Sequence, residues 1–230
     1  MDLRATKDEV SGVWTLDGCE PWTETFTTMI ENLKVSKAFK FARYGDGEIY
    51  CMNGKSGKNC DGHFYFPTLS MALHKAISPE PEYMIGIQPL SVQHLPKDVE
   101  NYFGNFHALY NADVLHNASL SGSLKQFTSA LEGRYIILVG PAHLASFFEQ
   151  CVHIVIPNDN CWTEYTKIKQ QIEFHIDGVN NAVVILAASM MSEVLISNFE
   201  DAPHTFIDVG SVLDPYCGVK SRRYHFKLNV

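Results

Sequence analysis

The sequence predicts an α/β protein with a Rossmann-like, doubly wound and mainly parallel sheet carrying helices on both faces. Three observations predict it. Short apolar runs alternate with amphipathic stretches along the 230 residues, the pattern expected of βαβ units. Two runs, Tyr135-Ile-Ile-Leu-Val139 and Ala182-Val-Val-Ile-Leu186, are apolar throughout, as strands covered on both faces are. No internal repeat, low-complexity tract or long linker divides the chain, so a single domain is expected over residues 1–230, with its core at about 22–215 and an extension at each end.

In chain order, the strands fall at Ala38–Arg43, Tyr83–Gln88, Tyr135–Gly140, Val152–Ile156, Ala182–Ala187 and Thr205–Val209. Each is short, rich in apolar residues and bounded by Gly, Pro, Asn or Asp. The helices lie between them. Thr23–Leu33 precedes the first strand, and Pro67 opens a helix running to about Ile77, since proline suits a first helical turn. Leu124–Leu131, Pro141–Gln150 and Met190–Phe199 are three more. Trp162, Tyr165, Ile168, Ile172 and Ile176 recur at intervals of three or four and mark one face of a further helix.

Composition narrows the class. Hydrophobic residues make up 46% and charged residues 19%, a globular rather than disordered balance. No apolar run reaches the roughly 18–20 residues of a membrane span, and the N-terminal MDLRATKDEVSGVW lacks the apolar core of a signal peptide. These features place the protein in the cytoplasm. The six cysteines form no C-x-x-C pair and no zinc-type spacing, so they read as reduced thiols. A net charge of -8 makes nucleic acid an unfavoured partner. The one basic cluster, Lys220-Ser221-Arg222-Arg223, reads as a solvated tail.

Ligands of doubly wound sheets bind beyond the carboxyl ends of the strands, which directs attention to the loops there. Phe39-Lys-Phe-Ala-Arg43 delivers the segment Tyr44-Gly45-Asp46-Gly47-Glu48 to that edge. Gly45 and Gly47 permit close ligand approach. Asp46 and Glu48, two apart in a turn or extended segment, can point to one side. Two hard carboxylate ligands suit Mn²⁺ or Mg²⁺ completed by substrate phosphates, and Arg43 has the planar fork that pairs with phosphate. An ordinary surface turn uses the same residue types for local reasons. Neither a third glycine for a dinucleotide fingerprint nor a P-loop is present.

FARYGDGE resembles the signature of bacterial glycosyltransferases of the GT-D fold, whose D-x-E motif follows the first strand. Further segments are similar in the same order: Asn59-Cys-Asp-Gly-His63, Gly86-Ile-Gln88, Val139-Gly-Pro141, Ile156-Pro-Asn158 with Trp162 and Tyr165, and Phe206-Ile-Asp-Val-Gly210. The similarity runs from about residue 25 to 215. It implies a Rossmann-like fold, a UDP-sugar donor and a divalent metal, with Asp46 and Glu48 as the metal and donor motif. Ala188-Ser189-Met190-Met191 departs from the glycine-rich turn expected there.

Other positions at strand ends complete the candidate set. Gly140 and Pro141 lie at a strand-to-helix junction, where backbone N–H groups can hold an anion; a tight turn needing glycine would look the same. Asn158 precedes a helix it could cap. Gln88 ends a strand and offers an amide to a donor. Ser189 follows the strand Ala182–Ala187. Asp208, with Asp214 shortly after, is a carboxylate at the carboxyl edge, suited to a base, a third ligand or a structural hydrogen bond. Asp61 and His63 belong to a polar loop within reach of an acceptor or metal.

The expected reaction moves a hexose from a UDP-sugar to an acceptor hydroxyl on a glycan, glycoprotein or small molecule. Glu48, Asp46 and Asp208 are the candidate catalytic carboxylates. A carboxylate that binds metal is the poorer base, so the roles divide among them. A Mg²⁺-dependent phosphohydrolase and a non-catalytic nucleotide- or carbohydrate-binding module are the competing readings.

Overall fold

A hairpin, β1 (Arg4–Lys7) and β2 (Trp14–Asp17), precedes the main sheet in the computed structural model, which describes residues 3–77, 81–228 and 230. Seven further strands follow: β3 (Lys40–Tyr44), β4 (Met84–Ile87), β5 (Tyr110–Asn111), β6 (Ile136–Gly140), β7 (Val152–Val155), β8 (Val183–Leu186) and β9 (Thr205–Asp208). They lie in the order β5-β4-β3-β9-β8-β6-β7. Every neighbouring pair is parallel. The strand order runs outward from β3 in one direction through β4 and β5, and β9 returns to pair with β3 on its other side. Every loop that follows one of these strands therefore opens at the same carboxyl edge.

Period-two alternation explains how the sheet is covered on both sides. Val184 and Leu186 face one core with Tyr44, Ile85 and Val139, while Val183 and Ile185 face the other with Phe41 and Leu138. On the first face lie α2 (Asp46–Met52), α3 (Pro67–Ala76), α8 (Tyr165–Ile176) and α9 (Met191–Asn198), packing Ile49, Leu73, Ile172 and Leu195 against the sheet. On the second lie α1 (Trp22–Lys34), α6 (Val114–Leu120) and α7 (Leu124–Ala130), packing Met29, Leu115 and Phe127. Two short helices, α4 (Pro89–His94) and α5 (Pro96–Phe103), follow β4, each with proline in its first turn.

The six strands expected from the sequence are all present, within two residues at each end. The Pro141–Gln150 helix is replaced by a 3-10 turn, Ala142–Ser146, in which Leu144 is the one buried apolar residue. A single buried position gives no apolar stripe to hold a longer helix. Asp46-Gly47-Glu48 is also not an isolated turn. It opens α2, with Gly45 as an extended N-cap at φ -116 and ψ -165. All six cysteines are free thiols. Among the described residues, no helix is long and apolar enough to cross a membrane.

Candidate functional site

A cleft of about 780 Å³ opens at the carboxyl edge of the sheet and is lined from every one of its strand-following loops. Arg43, Gly45, Asp46, Gly47 and Glu48 come from the β3 edge, and Gln88 from the β4 edge. Pro141, Asn158, Ser189 and Asp208 arrive from β6, β7, β8 and β9. Gly140 does not line it. Its carbonyl accepts from the Ile156 N–H and faces His153 Nε2, and a β-carbon there would lie 2.8 Å from Leu144 Cδ1. Packing, rather than ligand approach, accounts for that glycine.

At the mouth of β3 the helix start reshapes the acidic motif. Residues two apart on a helix do not face one another. Asp46, at the first helical position, is exposed. Glu48, at the third, turns back so that its Oε2 accepts the Gly45 N–H at 2.7 Å, the carboxylate half of a capping box. Both charges also favour the N-terminus of α2 electrostatically. Burial pushes the Glu48 carboxyl up to about 7, against the pull of the Gly45 hydrogen bond, with Asp208 and Asp46 adding to the rise. A β-carbon on Gly45 would lie 2.8 Å from Gln88 Oε1 and 3.2 Å from Glu48 Oε2, so this position admits no side chain while that amide and carboxylate keep their places.

Arg43 occupies the floor. Its Nε donates to the Ala112 carbonyl at 2.7 Å, Nη2 reaches Asp113 Oδ1 at 3.4 Å, and Nη1 stands 4.0 Å from Asp208 Oδ2. Burial disfavours its charge, but Asp208 and Asp113 outweigh that and raise its pKa. His116, against Arg43 Nη2 at 3.3 Å, is held neutral, its pKa pushed well down by burial and then by the guanidinium.

The sequence reading missed Glu193. This residue is 1% exposed in the first turn of α9, yet it lines the cleft, and among the described residues its Oε2 has no hydrogen-bond partner. Burial raises its pKa well above the ordinary value, and Glu48 and Asp208 push it further. Asp208, itself 4% exposed, is raised by burial as well. Burial disfavours ionisation of both carboxyls, and a charge on either one opposes a charge on the other. Asp208 Oδ1 also accepts the Gly210 N–H at 2.9 Å. One signal of Glu193 was available: a lone acid inside the apolar run Met190-Met-Ser-Glu-Val-Leu-Ile196.

Three other sequence expectations change. The Lys220–Arg223 cluster is not simply a solvated tail, because Arg222 grips both oxygens of Asp61 at 2.5 and 2.6 Å beside the cleft. His63 lines the cleft along with Asp61, but it is buried against Cys161, with its Nδ1 at 3.6 Å from the sulfur. Ser189 adopts φ +51, the left-handed backbone that a glycine-rich turn would supply. It keeps a side-chain role there, its Oγ accepting from Asn59 Nδ2 at 2.9 Å.

The parallel sheet, its two helical layers and the cleft at the carboxyl edge define a Rossmann-like α/β class. Within that class the chain is similar in fold to solved structures of the domain of unknown function 1792. One, a glycosyltransferase of that kind from Streptococcus sanguinis, has a TM-score of 0.65 at 18% identity, over 83% of this chain and 81% of that one. Another, described as showing that this domain has a distinct glycosyltransferase fold, has a TM-score of 0.64 at 17% identity, over 83% of this chain and 78% of that one. No protein-family model matches the chain, and no curated protein matches it significantly.

Proposed function

We propose that this protein is a glycosyltransferase that moves a hexose from a UDP-sugar to an acceptor hydroxyl, with the donor diphosphate lying over Asp46 and Glu48. The observation that carries the reading is the position of these two carboxylates, with Arg43 behind them, beside the large cleft of a fold shared with structures described as glycosyltransferases.

A metal ion at this place would have few protein ligands. Among the described residues no group of three or more His, Cys, Asp or Glu side chains is placed to hold one. Mg²⁺ commonly takes one or two carboxylates and completes its shell with substrate phosphates and water; the exposed Asp46 would be the first of these, while Glu48 has its Oε2 on the Gly45 N–H and would have only its other oxygen to offer. Bound there, Mn²⁺ or Mg²⁺ would supply charge stabilisation for the departing diphosphate. The chain's own groups do the rest. The buried Arg43 charge would act on the same developing anion, and a fixed charge held by its surroundings needs no reorganisation as that anion forms. Gln88 offers its amide beside Gly45. The Glu193–Asp208 pair presents oxygens at the floor that a sugar hydroxyl can meet.

The test is a product assay. UDP-hexoses are incubated with Mn²⁺ and a panel of hydroxyl acceptors, and UDP release is followed. UDP released in proportion to a new glycoside supports transfer. Orthophosphate from simple phosphate esters would point instead to a phosphohydrolase, and UDP binding without turnover to a binding module.

A further inference from the structure

The cleft holds a second hydrogen-bonded group of side chains, built from loops other than the one that carries the acidic motif. His143 lies in the 3-10 turn after β6, Asp214 opens the 3-10 turn Asp214–Cys217 after β9, and Ser221 lies in the C-terminal segment. His143 Nε2 meets Asp214 Oδ1 at 3.0 Å, and Ser221 Oγ donates to Asp214 Oδ2 at 2.5 Å. Asp214 is 8% exposed, whereas the His143 side chain is 28% exposed, and all three residues line the cleft.

The hydrogen bond fixes the tautomer. A carboxylate oxygen accepts, so Nε2 carries a proton, and in the neutral ring the lone pair is on Nδ1. Nδ1 makes no hydrogen bond among the described residues. Ser221 donates to the other oxygen of Asp214, which favours this orientation of the carboxylate. The result is an imidazole held at one nitrogen by a buried carboxylate, with the other nitrogen unoccupied at a substrate-sized cleft. That is the arrangement by which a histidine accepts a proton and the carboxylate stabilises the cation that forms.

We infer that His143 is the base that takes the proton of the acceptor hydroxyl, and that Asp214 is its positioning residue. The inference rests on the glycosyltransferase reading. As the acceptor oxygen bonds to the anomeric carbon, its proton passes to His143 Nδ1. The bond from that carbon to the diphosphate oxygen breaks, and the electron pair leaves with the diphosphate. The imidazolium is paired with Asp214 and returns the proton to solvent. The carboxylates of Glu48 and Asp208 are less suited. Glu48 is turned onto the Gly45 N–H, and Asp208 is engaged with Gly210, Arg43 and Glu193.

The experiment measures UDP release from UDP-glucose, UDP-galactose and UDP-N-acetylglucosamine, with p-nitrophenyl glycosides or water as acceptor. UDP affinity and melting are measured in parallel. His143→Ala and His143→Gln are expected to lower kcat by about 100-fold or more, to leave UDP affinity and melting near wild type, and to regain turnover in the alanine variant when imidazole is added. Asp214→Asn is expected to lower kcat with little change in KM. Turnover in both His143 variants within about threefold of wild type overturns the inference. So does a loss that imidazole does not restore and that weaker UDP binding accompanies. A wild-type protein that releases no UDP from any of the three donors would remove the transferase reading itself, and the base with it.

Discussion

A β-carbon built on Gly210 would lie 1.9 Å from Arg43 Nη1. The same glycine has φ +53, in the left-handed region, and its N–H donates to Asp208 Oδ1. One backbone position after β9 thus sets the space for the cation at the cleft floor and anchors the carboxylate beside it. Gly210→Ala should cost about 1–3 kcal/mol of stability, from strained backbone and a displaced guanidinium, and should weaken UDP binding. Urea unfolding and a UDP titration check this. Wild-type stability with wild-type affinity would show that Arg43 does not depend on that space.

Acidic groups held above their ordinary pKa make stability fall as pH rises. The folded protein keeps the Glu48 proton up to about pH 7, whereas the unfolded chain loses it near 4.5. Between those values the native state binds more protons, so unfolding free energy decreases with pH, for this group by on the order of 3 kcal/mol. Glu193 and Asp208 act in the same direction. Melting temperature should therefore drop between pH 5 and 8, and Glu48→Gln should flatten the drop. A melting temperature that rises across this window would contradict the buried-acid description.

Arg222 bridges the C-terminal segment to the Asp61 loop through two short contacts. Both side chains are partly exposed, at 29% and 34%, so the pair contributes modestly to global stability. Arg222→Ala should cost no more than about 1 kcal/mol. Its larger effect should be local: tryptic cleavage around Lys220 and Arg223 should accelerate as the segment opens on its own. Equal cleavage rates in the two proteins would show that the clasp does not hold the segment.

Much of the fold was legible because the central strands of the main sheet are buried on both faces. Ile136–Gly140 and Val183–Leu186 are apolar at nearly every position, and such runs leave little choice of structure. β5 is only Tyr110–Asn111, and the β1–β2 hairpin is half exposed; neither writes a pattern long enough to read. The 3.6-residue period found α8, but α2 was hidden because Gly45, Asp46 and Gly47 are turn residues as readily as a helix start. Glu193 and Asp208 meet only because β8 and β9 are neighbours. His143 and Asp214 lie 71 residues apart and are joined through the loops of two strands. Spacing along a chain carries no trace of such a meeting, whereas Asp46 and Glu48 were visible because the pair is local.

The most direct measurement is a titration of UDP, with and without Mn²⁺, into the wild-type protein and Asp46→Asn. Asp46 is exposed, so its replacement should leave stability within about 0.5 kcal/mol of wild type, and any change in binding reports on the ligand site. UDP should bind the wild-type protein more tightly with Mn²⁺ than without it, and Asp46→Asn should lose that difference. Equal UDP affinity in both proteins, with and without Mn²⁺, would contradict the assignment of the Asp46–Glu48 edge as the site of the donor diphosphate.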